Sequence, residues 1–388
     1  MPVRVERRAF ALLCHLVEHR NRVVPGEELV AAAWSGEPAT NAALATALRA
    51  VRLAIGDDGR RQAFIRTVHR RGYQFVAQAK AVTGAVSTVQ AAVAPGPADR
   101  AVDDTTAGLR DSIRFCRTAD GTRIAWAATG KGPPLVKTAN WLSRIDLERT
   151  MAFARHWFEG LTEGRQLIRY DERGCGLSDA DSGFTMDEWV EDLDAVADAA
   201  GHDRFPLLGV SQGGPLAIAY AARRPERVSR LILNAAYVRG RLARARGATE
   251  NAEAALDLRL SLAGWYGDDR SFQRFFGGQF FAGRPPEQWD EFTTYQKRTA
   301  TSANGARFLE AQSRMDVADL ATQVACPTLI THSCDDPRVP MSEAIELADL
   351  IPDSRLVILD GRNHLLTGDE PAWHGFLAEM RAFLAEEN

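Results

Sequence analysis

The sequence predicts an α/β protein: a mostly parallel sheet covered by helices on both faces, with a smaller helical unit and a β-hairpin at its front. Three observations lead there. From Ile113 onward, β-prone runs alternate with helix-compatible stretches, a pattern that argues for a parallel sheet buried on both sides. The run Pro206-Leu207-Leu208 passes through Gly209-Val210-Ser211-Gln212-Gly213 into the helix-compatible Gly214–Tyr220, and G-x-S-x-G is the pattern in which a serine sits on a sharp strand-to-helix turn. Charge is divided: residues 1–80 hold 13 Lys+Arg against 7 Asp+Glu, while residues 81–388 hold 34 against 44. A basic front on an acidic body suggests a polyanion partner for the front.

At 388 residues the chain exceeds one typical domain. The five cysteines (Cys14, Cys116, Cys175, Cys326, Cys334) are odd in number and form no C-x-x-C pair. Neither a disulfide framework nor a metal site is indicated, and no cofactor is expected. The N-terminus, Met1 to Arg8, lacks the apolar core of a signal peptide. The uncharged runs at 81–98 and 205–222 are broken by Gln90 and Pro95-Gly96-Pro97 and by the glycine-flanked Ser211-Gln212, so neither reads as a membrane span, and a cytoplasmic protein with no membrane partner is expected.

In the front unit, Phe10, Leu13 and Leu16/Val17 recur at helical spacing. Pro25-Gly26-Glu27-Glu28 opens a second helix, and Thr40 can cap a third whose Leu44, Leu48, Val51 and Ile55 share one face. Phe64–Val68 and Tyr73–Val76 are β-prone runs joined by His69-Arg70-Arg71-Gly72, a hairpin with a basic tip. Three helices and a hairpin have the layout of a winged helix-turn-helix. Residues 4–78, with the closing Ile65-Arg66-Thr67-Val68 and Gly72-Tyr73, resemble the OmpR/PhoB-type DNA-binding domain. The resemblance implies a third helix in the major groove of double-stranded DNA and a wing on phosphate or minor groove. The contact candidates are Arg49, Arg52, Arg66, Arg70 and Arg71. The third helix is alanine-rich, so phosphate contacts are expected to dominate. Family members begin with a small sheet for which few residues are present here.

Residues 79–110 carry no sustained periodicity and read as a linker. Beyond it, strands are expected at Ile113–Arg117, Thr122–Ala128, Pro134–Thr138, Gln166–Tyr170, Phe205–Gly209, Arg230–Asn234, Thr328–His332 and Arg355–Leu359. Asp120-Gly121 makes the first pair a hairpin. With the serine turn and Tyr170-Asp171-Glu172-Arg173-Gly174-Cys175-Gly176-Leu177-Ser178, residues 111–388 resemble the α/β-hydrolase fold. That resemblance implies an eight-stranded, mostly parallel sheet with a helical cap at about 238–319. The cap concentrates Trp265, Tyr266, Phe272, Phe275, Phe276, Phe280, Phe281 and Trp289, which either pack it onto the sheet or roof an apolar ligand pocket.

A serine hydroxyl needs a histidine base oriented by a carboxylate, and in this fold they follow in the order Ser, acid, His. The candidates are Ser211, Asp336 and His364, with Asp335 the alternative acid one register away and His332 and His374 as competing histidines. Gln212 and Trp141 are the expected oxyanion donors through their backbone N–H groups. Ala139-Asn140 stands where the family commonly has His-Gly, and Asn140 is expected to supply the left-handed turn.

The expected protein is a one-component transcription regulator that senses or hydrolyses a small apolar or acyl-bearing metabolite. A homodimer is expected, with RNA polymerase among its partners. Two alternatives stand beside it: a plain serine hydrolase of esterase or lactonase type, and a receptor on the hydrolase fold that does no chemistry.

Overall fold

The computed structural model describes residues 12–13, 15–17, 19–34, 41–54, 57, 62, 64–68, 71–76, 112–180, 183–266 and 270–386. Arg70, Ile55 and the linker at 79–110 lie outside the described residues.

In the front unit, helices Gly26–Trp34 and Asn41–Ala54 are followed by strands β1 (Ile65–Val68) and β2 (Gly72–Phe75) in an antiparallel hairpin. Leu12 and Leu16 pack with Val24, Leu29, Leu44, Leu48, Val51, Ile65 and Phe75. The apolar spacing of the third helix is therefore spent on this core, leaving Arg49 exposed on its other side. Asp57 is buried and accepts from the Ile65 N–H at 2.9 Å, tying the helix end to the wing.

The larger unit is an eight-stranded sheet in the order β10-β9-β8-β7-β5-β6-β4-β3. Its strands are β3 (Ser112–Arg117), β4 (Arg123–Gly130), β5 (Pro134–Lys137), β6 (Gln166–Tyr170), β7 (Phe205–Val210), β8 (Val228–Asn234), β9 (Thr328–Ser333) and β10 (Ser354–Leu359). Only β4 runs against its neighbours, pairing antiparallel with β3 and β6. The central strand β7 reads apolar throughout because both its faces are covered. Helices Arg241–Arg244, Gly247–Tyr266, Arg270–Phe280, Pro286–Thr299, Ser302–Arg314 and Ala318–Ala321 fill the interval between β8 and β9. Among the described residues no helix is long and apolar enough to cross a membrane.

After β6 the chain makes the turn written Asp171 to Ser178. Asp171 accepts from the Ile145 and Leu177 N–H groups, both at 2.9 Å, and the Ser178 hydroxyl returns to the Asp171 carbonyl at 2.6 Å. The motif is a clamp on the strand end. Behind it, Arg173 is fully buried and forks onto Asp192, with Nη2 at 2.7 Å and Nε at 2.9 Å from Oδ1. Burial alone would lower the guanidinium's pKa, but Asp192 and Asp120 hold it above its usual range.

Candidate active site

The turn from β7 into helix Gly213–Arg223 holds Ser211 at φ +52°, a left-handed conformation that a side-chain-bearing residue adopts at a cost of about 1–3 kcal/mol. The flanking glycines make it possible. A Cβ on Gly209 would lie 2.8 Å from the Ala217 Cβ, and one on Gly213 would lie 2.4 Å from the Thr138 Oγ1. Strand and helix therefore cross more closely than any side chain allows, and the serine is thrust from the apex.

Ser211 Oγ lies 2.6 Å from His364 Nε2, and His364 Nδ1 lies 2.8 Å from Asp336 Oδ2. Asp336 Oδ1 accepts the N–H groups of Arg338 and Val339 at 2.8 and 2.9 Å. Burial would raise the Asp336 carboxyl, but His364, His332 and the Val339 N–H hold it below its usual range, so the acid stays ionised beside the ring. The alternatives fall elsewhere. Asp335 and His374 are exposed, while His332 is buried behind the acid, 3.8 Å from Asp336 Oδ2, with Nε2 2.9 Å from the Val339 carbonyl. Ser333, which replaces the family's usual glycine, donates to the Asn363 carbonyl at 3.1 Å and so ties β9 to the histidine loop.

The cap reaches this loop directly. The Phe280 carbonyl accepts from the His364 and Leu365 N–H groups at 3.0 and 3.2 Å, and the Phe280 ring stands 5.4 Å from the imidazole. Of the cap aromatics, Phe276, Phe280 and Phe281 are buried, and Phe280 packs toward the triad. Trp265 and Tyr266 side chains lie outside the described set.

The oxyanion turn differs from expectation in two ways. The left-handed residues are Trp141 and Leu142, at φ +35° and +46°, not Asn140. Asn140 instead accepts a hydrogen bond from the Lys137 ammonium, which fixes its side chain one step before the turn. In addition, the Trp141 N–H is already occupied: it donates to the side-chain oxygen of Gln212 at 2.5 Å. Displacing one such bond costs about 0.5–1.5 kcal/mol, a factor of about 2–10 in rate. Gln212→Met, which removes the competing oxygen, is accordingly expected to speed acylation of Ser211 severalfold, read as the rate of labelling by a fluorophosphonate.

Two chambers open from Ser211, and Trp141 and Phe280 line both. One is largely aromatic, with Phe153, Trp157, Phe158 and Phe292, but half-buried Lys137 also lines it. Burial lowers the Lys137 ammonium and, with Asp192 and Asp171 adding, pushes the nearby Glu172 carboxyl up to about 8. The other is lined by Arg241, Arg244, Asp257 and Arg338. Sequence reasoning found neither Lys137 nor these arginines, whose approach to Ser211 is made by the cap's tertiary packing.

In the front unit, Arg49, Arg66 and Arg71 are exposed. Arg52 is different: its Nη2 donates to the Ile65 carbonyl at 3.0 Å and the Thr67 hydroxyl at 2.9 Å, so its fork is engaged in bracing the wing.

A family model described as alpha/beta hydrolase fold matches residues 149–371, and one described as transcriptional regulatory protein, C terminal, matches residues 1–75. The 2-hydroxy-6-oxo-2,4-heptadienoate hydrolase of Pseudomonas putida is 27% identical over 280 residues, covering 67% of this chain and 88% of that protein. An esterase from a Rhodococcus species superposes with a TM-score of 0.58 at 26% identity over 71% of this chain and 100% of that one. An esterase from Exiguobacterium antarcticum gives a TM-score of 0.59 at 24% identity over 70% of this chain and 99% of that one, a likeness of fold. The chain belongs to the alpha/beta hydrolase fold family and carries at its front an OmpR/PhoB-type DNA-binding domain.

Proposed function

We propose that the protein is a DNA-binding regulator whose hydrolase-fold domain takes an acyl compound at Ser211, responding to it by binding and slow acyl transfer. The observation that carries this reading is the continuous hydrogen-bonded chain Ser211–His364–Asp336. In the neutral imidazole Nδ1–H donates to Asp336, leaving Nε2 to take the Ser211 proton as Oγ adds to the acyl carbonyl. The Gln212 N–H, at the start of its helix, meets the developing oxyanion, and the Trp141 N–H joins once the Gln212 side chain swings away. Collapse releases the leaving group, protonated by His364, and water repeats the sequence to free the serine. The hydrolase names of the relatives support acyl or carbonyl chemistry here. The Gln212 contact favours a site that binds before it turns over, as a sensor requires. Reaction of wild type but not Ser211→Ala with a fluorophosphonate tests the site; failure of wild type to react would leave only a receptor.

For the front domain we propose a homodimer on DNA in the cytoplasm, with RNA polymerase as a further partner, and phosphate contacts from Arg49, Arg66, Arg70 and Arg71. Four such contacts in each protomer, eight in the dimer, imply a salt slope of about −7, or a loss of about 10⁴-fold in affinity from 50 to 200 mM salt. Arg70→Ala with Arg71→Ala, which removes four of the eight, is expected to flatten the slope by about 3.6. Anisotropy titration on duplex DNA reads both, and salt-independent binding would remove the assignment.

A further inference from the structure

The second chamber is built for an anion. Arg241, Arg244 and Arg338 line it together with Ser211. Their protein partners are few. Asp257 is shared, 3.1 Å from Arg241 Nη1 and 3.1 Å from Arg338 Nη1, and Arg338 Nη1 also reaches Gln279 Oε1 at 2.7 Å. Arg244 has only a distant pairing, its Nε 3.8 Å from Glu343 Oε1, and no side-chain hydrogen bond among the described residues. Burial lowers the pKa of both Arg241 and Arg244, and Asp257 beside Arg241 and Glu343 beside Arg244 offset that only in part.

Two neutral donors point to the same conclusion. Ser261 Oγ and Gln312 Nε2 are buried without a hydrogen-bond partner, in residues only 2% and 6% exposed, and both residues line this chamber. A buried polar group left without a partner costs about 1–3 kcal/mol, and here such groups gather beside three guanidinium groups. Acceptors are what the chamber lacks. The lining holds three arginines and one carboxylate, Asp257, a balance that suits an anionic group such as a carboxylate. Arg241, Arg244 and Arg338 also line an outer cleft, where Arg239 and Arg246 and the carboxylates Glu250, Glu253, Asp336, Glu343 and Glu346 join them, so the same three arginines border both the mixed-charge mouth and the chamber at the serine.

We propose that this chamber binds the carboxylate end of the ligand while its acyl carbonyl lies at Ser211, so that the ligand class is a carboxylate-bearing acyl compound such as a dicarboxylic half-ester. Arg244 supplies the fork, Ser261 and Gln312 supply the flanking donors, the hydrocarbon chain spans the distance between them and Ser211, and the aromatic chamber across Ser211 takes the alcohol part of the ester. This assignment rests on the reading of Ser211 as the group that meets the acyl carbonyl.

The test uses full-length Ser211→Ala protein, which cannot consume the probe, titrated calorimetrically with monomethyl and dimethyl esters of the C4 to C10 dicarboxylic acids. At least one monoester is expected to bind tenfold or more tightly than its own diester. Adding Arg244→Gln is expected to bring that ratio close to one, Arg244→Lys to keep part of it, and Gln312→Met to lower it about threefold while sparing the arginines. Equal affinity for monoester and diester throughout the series, no binding by any member, or a ratio indifferent to both Arg244→Gln and Gln312→Met would overturn the proposal. The two readings fail separately. Anion preference in a protein whose Ser211 does not react with fluorophosphonate would remove the acyl-transfer function and keep this chamber, whereas reactivity without anion preference would do the reverse.

Discussion

Replacing His364 by alanine is expected to slow fluorophosphonate labelling of Ser211 by about a thousandfold. The magnitude follows from the geometry: Nε2 stands 2.6 Å from the hydroxyl, and a positioned general base contributes about 10²–10⁴ in rate. Asp336→Asn is expected to cost a similar factor, because an asparagine amide facing Nδ1 favours the tautomer that puts the proton on Nε2, where it cannot accept from serine. The backbone donors to Oδ1 from Arg338 and Val339 make the acid's position independent of the histidine, so each variant isolates one role. The measurement is the rate of labelling with excess reagent at pH 7.5, beside circular dichroism to confirm the fold. Labelling of His364→Ala at the wild-type rate would mean that the serine reacts without its base.

The largest stability effect is expected at Asp192. Removing one partner of a buried ion pair costs about 3–5 kcal/mol, because the remaining charge is left in a poorly solvating interior. Arg173 keeps a second bond, Nη1 to Asp120 Oδ2 at 2.9 Å, so Asp192→Ala belongs at the lower end, about 3 kcal/mol. For a domain of this size that corresponds to a fall in Tm of about 6–12 °C. The loss should reach the active site weakly, since Arg173 braces the turn after β6 rather than the strands that carry the triad. Differential scanning calorimetry checks it, and a change below about 2 °C would show the pair to behave as a solvated surface bridge.

The convergence of Ser211, His364 and Asp336 was legible in the sequence because each residue stands in a local signal. Ser211 is fixed by the flanking glycines, whose absent side chains let β7 and its helix cross, and Asp336 and His364 follow β9 and β10 in the chain order of the fold. The sheet was legible for a related reason, since strands buried on both faces read as apolar runs between helices. The oxyanion turn was not. Its outcome depends on a Gln212 side chain meeting a backbone N–H 71 residues earlier in the chain, and on Lys137 holding Asn140. The surroundings of Arg52 were hidden for the same reason: spacing put it beside Arg49 on the open side of a helix, but its Nη2 also meets the Ile65 carbonyl and the Thr67 hydroxyl of the wing. The arginine chamber was hidden because Arg241 and Arg338 come from segments far apart in sequence that share Asp257 as a partner. Periodicity reports which face of an element is buried, and says nothing of which distant polar groups converge.

A sensing role requires that occupancy at Ser211 change the affinity of the DNA-binding domain for its duplex. A ligand shifts such an equilibrium only by its differential affinity for the two states, and a fluorophosphonate adduct holds the site occupied without turnover. The direct measurement is fluorescence anisotropy of full-length protein, unmodified and stoichiometrically labelled at Ser211, on duplexes drawn from genomic fragments that the unmodified protein retains. Labelling is expected to change DNA affinity at least fivefold at fixed salt. Equal affinity of the two forms on every duplex would contradict it.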